Sequence, residues 1–500
     1  MKNQLPHWIN IKQILTILII SSLFPQTFAE IKIYKENGHI FSKDKLYALS
    51  EHRGAYEVIL DKTGLPIGYE RAIHDTKPYG HKMSTMAIGP YGGNKTKNPP
   101  SMWYDTWNNQ GTKHTWIQLE SGTLNRTEHV IKWPINARYR DGAEMNQKTG
   151  ELYFSADTAT HFGIKARCNT GQCGLYGTEY AAVAVWDPVS GHLAWNTGFI
   201  PLGEDLGKDI QKWNRGSDGW ALPTDMAIDA DGDMYVLARH YRNPLSGTAR
   251  TRETAHVKLV KIIVPRDKLG KPITKDWEYT VVQDFGIIKE VSHSTAFNIF
   301  GMVFFNGLLY ASYENGGGVF VFNPLNGTYR QGAKPPRNMF DMASGQLAPI
   351  IKGTVYNDTK ASANRSDFIP LEGITVEILK NGIPVGEIVT DKDGSYSFMV
   401  DSISDTNYSI IIKKPRINDY LAKQTWASAD HESVNPTTAY CGTKKRTSSG
   451  ICRDSMPLRS DVLMTTDDVV AIAEFAITTE DLPPLPKNLT PQRIMLHILF

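Results

Sequence analysis

Two tryptophans flank an aspartate in Met102-Trp103-Tyr104-Asp105-Thr106-Trp107, and on an extended strand Trp103, Asp105 and Trp107 share one face. Two indoles around a carboxylate could stack on a sugar. With Trp116 they form the candidate binding set, because rigid aromatic anchors carry a large part of binding energy. The competing use of the same residues is packing between sheets. A second constellation, Asp229-Ala230-Asp231-Gly232-Asp233, sets three carboxylates at alternate positions. An EF-hand loop needs Gly at its sixth position and a bidentate Glu at its twelfth, whereas Gly is fourth here, so the expectation is a hairpin turn.

Other motifs point away from catalysis. Gly89-Pro-Tyr-Gly-Gly-Asn-Lys-Thr96 approaches a phosphate loop, but Asn94 separates Gly93 from Lys95 and no strand-to-helix setting surrounds it. His161, His240 and His293 fall near predicted strand ends, where loops would converge. Nothing pairs them with a nucleophile or carboxylate at readable spacing. No catalytic residue is nominated.

The ends of the chain and its cysteines indicate a compartment. Lys2 and Lys12 precede an apolar run from Ile14 to Phe24 and then Pro25-Gln-Thr-Phe-Ala29, the pattern of a secretory signal cut before Glu30. An uncleaved anchor is the alternative. No later stretch approaches the ~20 apolar residues of a membrane span. In an exported chain the four cysteines are expected to pair locally, Cys168 with Cys173 and Cys441 with Cys452. Such short loops contribute roughly 2–3 kcal/mol each. Metal ligation by Cys168 and Cys173 would need two more soft ligands, and only His161 is close. The balance of 54 Lys plus Arg against 52 Asp plus Glu leaves no basic field, which argues against nucleic acid as a partner.

These residues must be positioned by strands. From Glu30 to about 334 the chain reads as short strands broken by Gly, Asn and Asp turns, with no helical period. One unit recurs: Met145-Asn-Gln-Lys-Thr-Gly-Glu-Leu-Tyr153, Met226-Ala-Ile-Asp-Ala-Asp-Gly-Asp-Met-Tyr235 and Met302-Val-Phe-Phe-Asn-Gly-Leu-Leu-Tyr310. Each is a strand, a turn and a strand carrying Tyr. A second hairpin follows at Ala182–Trp195 and Gly318–Tyr329, echoed at Glu57–Gly64. Two successive hairpins make a four-stranded blade, so residues 30–334 resemble secreted β-propellers. The unit returns roughly every 80 residues, longer than the ~40–50 of compact blades, which suggests five to seven blades with some irregular. An array of β-sandwiches is the alternative.

A polar segment at 335–348, entered through Pro335 and Pro336, reads as a linker. The region 349–479 reads differently. Ile351-Lys-Gly-Thr-Val-Tyr-Asn-Asp358, Pro370-Leu-Glu-Gly-Ile-Thr-Val-Glu-Ile-Leu379 and Val389-Thr-Asp-Lys-Asp-Gly-Ser-Tyr-Ser-Phe-Met-Val400 resemble, in order, the B-type domains of serine-aspartate-repeat and collagen adhesins. That resemblance implies an immunoglobulin-like or prealbumin-like β-sandwich serving as a stalk or spacer. It also implies calcium ligands in the loop after the first strand, where Asp358 and Asp367 remain but Lys360 and Arg365 put cations among the ligand positions. The expectation is therefore no cofactor, with calcium the one candidate. Residues at about 415–460 read as an insertion stapled by Cys441 and Cys452, and 480–500 as a Pro-rich tail that a truncated gene would explain.

The expected protein is all-β, a propeller followed by a B-type sandwich. Its expected function is non-enzymatic: an exported or cell-surface protein whose propeller binds or displays a protein or glycan ligand. The alternative is a secreted propeller hydrolase or lyase acting on glycans or peptides, since propellers host both.

Overall fold

A computed structural model describes residues 40–50, 54–72, 83–90, 100–106, 111–137, 142–157, 181–196, 219–221, 225–241, 255–275, 277–288, 299–313, 318–335, 339–362, 364–401, 405–413, 416–417, 420–421, 423–427, 437–441, 444–446, 450–451, 459–464 and 470–479. Apart from a 3-10 turn at Arg365–Asp367, the described elements are strands. Among the described residues no helix is long and apolar enough to cross a membrane.

Between Leu46 and Ser344 these strands build five antiparallel sheets of the blade type. Three are local meanders: Met83–Gly89 through Arg126–Ala137, Ala143–Met145 through Leu193–Trp195, and Ile299–Phe305 through Tyr329–Gln331. A fourth runs from Ala227–Ile228 to Glu278–Ile288, with Gly219–Ala221 paired to its Met234–Tyr241 strand. The first sheet is assembled from both ends of this region. Leu46–Ser50, Gly54–Leu60 and Pro66–Arg71 are consecutive, but their neighbour is Met339–Ser344, with Leu46 opposite Ser344 and Leu49 opposite Asp341. The segment 335–348, which composition marks as a linker, thus contains a sheet strand. Met339, Met342 and Ala343 are buried there, a short apolar run that Pro335, Pro336 and the flanking polar residues obscure.

The leading strands of the five sheets are neighbours in a ring. Met339–Ser344 lies against Met83–Gly89, which lies against Ala143–Met145; Ala227–Ile228 follows, then Ile299–Phe305, which returns to Met339–Ser344. Hydrophobic clusters fill the spaces between successive sheets. One, for example, joins Trp103 and Trp116 of the second sheet to Met145, Phe154 and Trp186 of the third.

The turns follow one rule. In Asp61-Lys-Thr-Gly64, Asp229-Ala-Asp-Gly232, Asp267-Lys-Leu-Gly270 and Asp391-Lys-Asp-Gly394, the carboxylate accepts from the amides two and four residues on, and the Gly amide donates to the Asp carbonyl. Each Gly lies at φ between 67° and 80°, where an L side chain is strained. The sequence expectation that Asp229–Asp233 is a tight turn agrees with this geometry.

From Ile350 to Thr478 two further sheets share one core. The first orders Phe368–Pro370, Ile350–Asp358, Phe475–Thr478, Lys423–Ala427 and Gly450–Ile451. The second orders Ile383–Val389, Thr375–Lys380, Thr406–Ile412, Arg459–Met464, Thr437–Cys441 and Lys444–Arg446. Ile351, Val355 and Phe475 from the first meet Val376, Ile378 and Ile410 from the second. Alternation of buried and half-buried residues along Thr375–Lys380 supplies that face. The stretch expected to stand apart as an insertion contributes Lys423–Ala427 to one sheet and Thr437–Cys441 to the other. Pairing with the edges of the two sheets, not a core of its own, orders it.

The two regions are joined by packing. Leu325, in an outer turn of the fifth sheet, belongs to the core of the second region. Met399 of the second region packs with Met302, Phe304 and Phe320. The carbonyl of Leu325 comes so near Gly386 that a β-carbon there would sit 2.0 Å away. Lys352 pairs with Asp231, and Ala348 donates its amide to Ile228 at 2.8 Å.

Candidate functional site

The ring of leading strands repeats a residue pair. Met86, Met145, Met226, Met302 and Met342 are all fully buried, and the residues before them are Thr85, Glu144, Asp225, Gly301 and Asp341. Three of these five are acids, one from each of three sheets, each no more than 1% exposed. This cluster is the candidate site. The repeat was visible from Met145, Met226 and Met302, but the residue ahead of each Met carried no meaning until the ring brought the five together.

Backbone amides hold the acids. In each case the following residue donates to the side chain: Met145 to Glu144 Oε1 at 3.2 Å, Met226 to Asp225 Oδ1 at 2.8 Å, and Met342 to Asp341 Oδ1 at 2.8 Å. Each aspartate then reaches a neighbouring sheet. Asp341 Oδ2 accepts from the Thr85 hydroxyl and from the Met86 amide, and Asp225 Oδ2 accepts from the Met302 amide at 2.5 Å. Gly301 is required beside them, because a β-carbon there would lie 2.6 Å from the Asp341 carbonyl carbon.

Asp225 and Asp341 stand near enough across the ring for the charge of Asp341 to act on Asp225. Burial pushes Asp225 well above the usual carboxylate range, and the charge of Asp341 adds to it. Burial also raises Asp341, to about 7, partly offset by the groups that donate to it. Glu144 is driven well upward by burial, with the charge of Asp341 adding to it, and its Oε2 has no hydrogen-bond partner. The arrangement can hold protons.

The sequence-nominated residues fall elsewhere. Trp103 and Trp116 are 0% exposed, so they are core side chains and not surface anchors. The ring of Trp103 stacks 4.8 Å from His129, and that of Trp116 lies 5.7 Å from Phe154. Packing between sheets, the competing use of these indoles, is what burial favours. Trp107 lies outside the described residues, as do Cys168, Cys173, Cys452, His161 and His293. Cys441 ends the strand Thr437–Cys441, and His240 lies within Met234–Tyr241.

The carboxylates of Asp229, Asp231 and Asp233 come within 4.8 Å of one another. Lysines occupy them: Lys261 Nζ is 3.0 Å from both Asp229 and Asp233, and Lys352 meets Asp231. Burial lifts Asp229 to about 6 although Lys261 opposes it. In the loop after Ile350–Asp358, Asp358 Oδ1 accepts from Ser362 N at 3.1 Å while Asp367 takes Lys360 Nζ at 2.8 Å and Ser362 Oγ at 2.8 Å. Arg365 turns away to Glu474 at 2.8 Å and lies 5.1 Å over the Trp426 ring. Thus an internal ammonium stands at the Asp367 carboxylate, where the family resemblance implied calcium.

No family model matches the chain, and no curated protein matches it. Among solved structures, a nidogen–laminin complex chain has a TM-score of 0.30 at 8% identity, over 60% of this chain and 97% of that one. A lignostilbene dioxygenase of Pseudomonas brassicacearum has a TM-score of 0.28 at 10% identity, over 89% of this chain and 75% of that one. Likeness at this level identifies no family.

Proposed function

We propose that the five sheets form a closed five-bladed β-propeller seated on a B-type-like β-sandwich, and that the chain is a non-enzymatic exported or cell-surface protein. The propeller binds or displays a protein or glycan ligand, and the sandwich holds it away from whatever carries the chain. The observation behind this reading is the packed joint: Leu325 enters the sandwich core, Met399 enters the propeller cluster, and Lys352 pairs with Asp231. A joint of this kind fixes orientation, as a spacer requires, where a polar linker would leave the two parts free to move. The commitment of the ring's acids to backbone amides supports it further, since a general acid must reach its substrate.

Two measurements on the full chain test the reading. Fractionation of cells that express the gene should recover the protein outside the cytoplasm, and arrays of glycans and surface proteins should give saturable binding without turnover. Hydrolysis or elimination on any arrayed substrate, abolished by one Asp, Glu or His substitution, would replace this reading with the hydrolase or lyase alternative.

A further inference from the structure

The fourth sheet encloses a lysine between two carboxylates. Lys261, in the strand Ala255–Ile263, stands opposite Tyr235, and its Nζ lies 3.0 Å from Asp229 Oδ2 and 3.0 Å from Asp233 Oδ2. All three are buried, and so are their apolar chain neighbours Ile228, Val260 and Ile262. Fixed donors orient both acids. Asp229 Oδ1 accepts from the amides of Asp231 and Asp233 at 2.9 and 3.0 Å, and Asp229 Oδ2 from the Tyr235 hydroxyl at 3.1 Å. Asp233 Oδ1 accepts from the Val264 amide at 2.9 Å, which leaves its Oδ2 to Lys261. Charges held this far from water are costly even when paired.

We propose that this site modifies itself: Lys261 Nζ and Asp229 Cγ join as an intramolecular amide that ties the Asp229–Asp233 turn to an inner strand of the fourth sheet, with release of one water. The bond needs no ligand, so it goes beyond the binding role of the propeller and does not depend on it.

The groups present balance the reaction. Burial opposes the charge on Lys261, and Tyr235, Asp229 and Asp233 outweigh it, so the ammonium is the starting form. One ammonium proton passes to Asp229 Oδ2, on a carboxyl that burial has already lifted to about 6. The electron pair freed on Nζ attacks Cγ, and the charge that builds on Oδ1 meets the amides of Asp231 and Asp233. Asp233 takes a second proton from Nζ and returns it to Asp229 Oδ2. The Cγ–Oδ2 bond then breaks, water leaves, and the last proton stays on the amide nitrogen. Asp233 ends as it began, and no outside reagent is consumed. Two buried charges give way to one neutral group, whose oxygen keeps both amide donors.

Mass spectrometry of the full chain, unfolded and with its thiols reduced, tests the bond. Wild type should weigh one water less than the sequence between its measured ends, and digestion should yield the Asp229 peptide joined to the Lys261 peptide. Lys261→Arg should restore the full mass. Asp233→Asn keeps an acceptor for the Val264 amide but cannot relay the second proton, and should leave Lys261 free. If a variant does not fold, the linked peptide of wild type alone decides. Asp231-Gly232 can lose water by itself through closure to a succinimide, so a deficit that Lys261→Arg retains, with no linked peptide, overturns the proposal. Folded wild type at full mass, with Lys261 open to acetylation once unfolded, overturns it equally.

Discussion

Tyr310 donates its hydroxyl to the carbonyl of Gly64 at 2.7 Å, across 246 positions of chain, and thereby ties the fifth sheet to an outer turn of the first. Tyr153 makes the corresponding bond to Gly232 at 3.0 Å, from the third sheet to the fourth. These are two of the three tyrosines that mark the sequence repeat, so the repeat encodes a stitch between neighbours as well as a strand. Tyr310→Phe keeps the ring and removes the bond. It should lower unfolding stability by about 0.5–1.5 kcal/mol, measured in urea.

Burial makes the tryptophans a test of stability. Trp103→Ala should cost ~3–5 kcal/mol and lower the melting temperature sharply, because its cluster with Trp186, Met145 and Phe154 would lose one of its three indoles. A variant that melts like wild type would return Trp103 to the surface.

Asp267 behaves oppositely to the acids of the ring. Its carboxylate accepts from Lys271 N and Leu269 N, and the first of these bonds leads in holding its pKa below the ordinary value. A depressed pKa gives stability that is present above the unfolded value of about 3.9 and lost as pH falls through the folded one. Asp267→Ala should therefore melt earlier than wild type at pH 7 and indistinguishably from it at pH 2.

Calcium should leave the protein unchanged, since Lys360 already holds Asp367 at 2.8 Å. A site filled at a hundredfold its Kd would add about 2.7 kcal/mol, readily seen as a melting shift. Scanning calorimetry of the full chain in millimolar calcium and in chelator should give superimposable traces.

What the sequence disclosed was local. The Asp-x-x-Gly turns, the strand periods of Thr375–Lys380 and the Met-to-Tyr units can each be read within a dozen residues, because hydrogen bonding and side-chain alternation act at that range. The closing strand was missed for the opposite reason: Met339–Ser344 has too few residues to show a period, and its partner Leu46–Ser50 is almost the whole region away. Trp103 and Trp116 were ambiguous because alternation places an indole on a face without saying whether another sheet covers it. The acids ahead of Met145, Met226 and Met342 looked unrelated until five strands converged, so the candidate site was the least legible part.

The placement of Met339–Ser344 also orders events in time. A ribosome delivers Leu46–Ser50 long before it delivers the strand that pairs with it, so throughout synthesis the first sheet presents a bare edge to the cell. Ring closure must wait until residue 344 has emerged, and a contact of such sequence separation forms slowly. The nascent chain is therefore kept unsealed for most of its translation. A stop before Met339 would leave that edge permanently open to strand exchange between molecules.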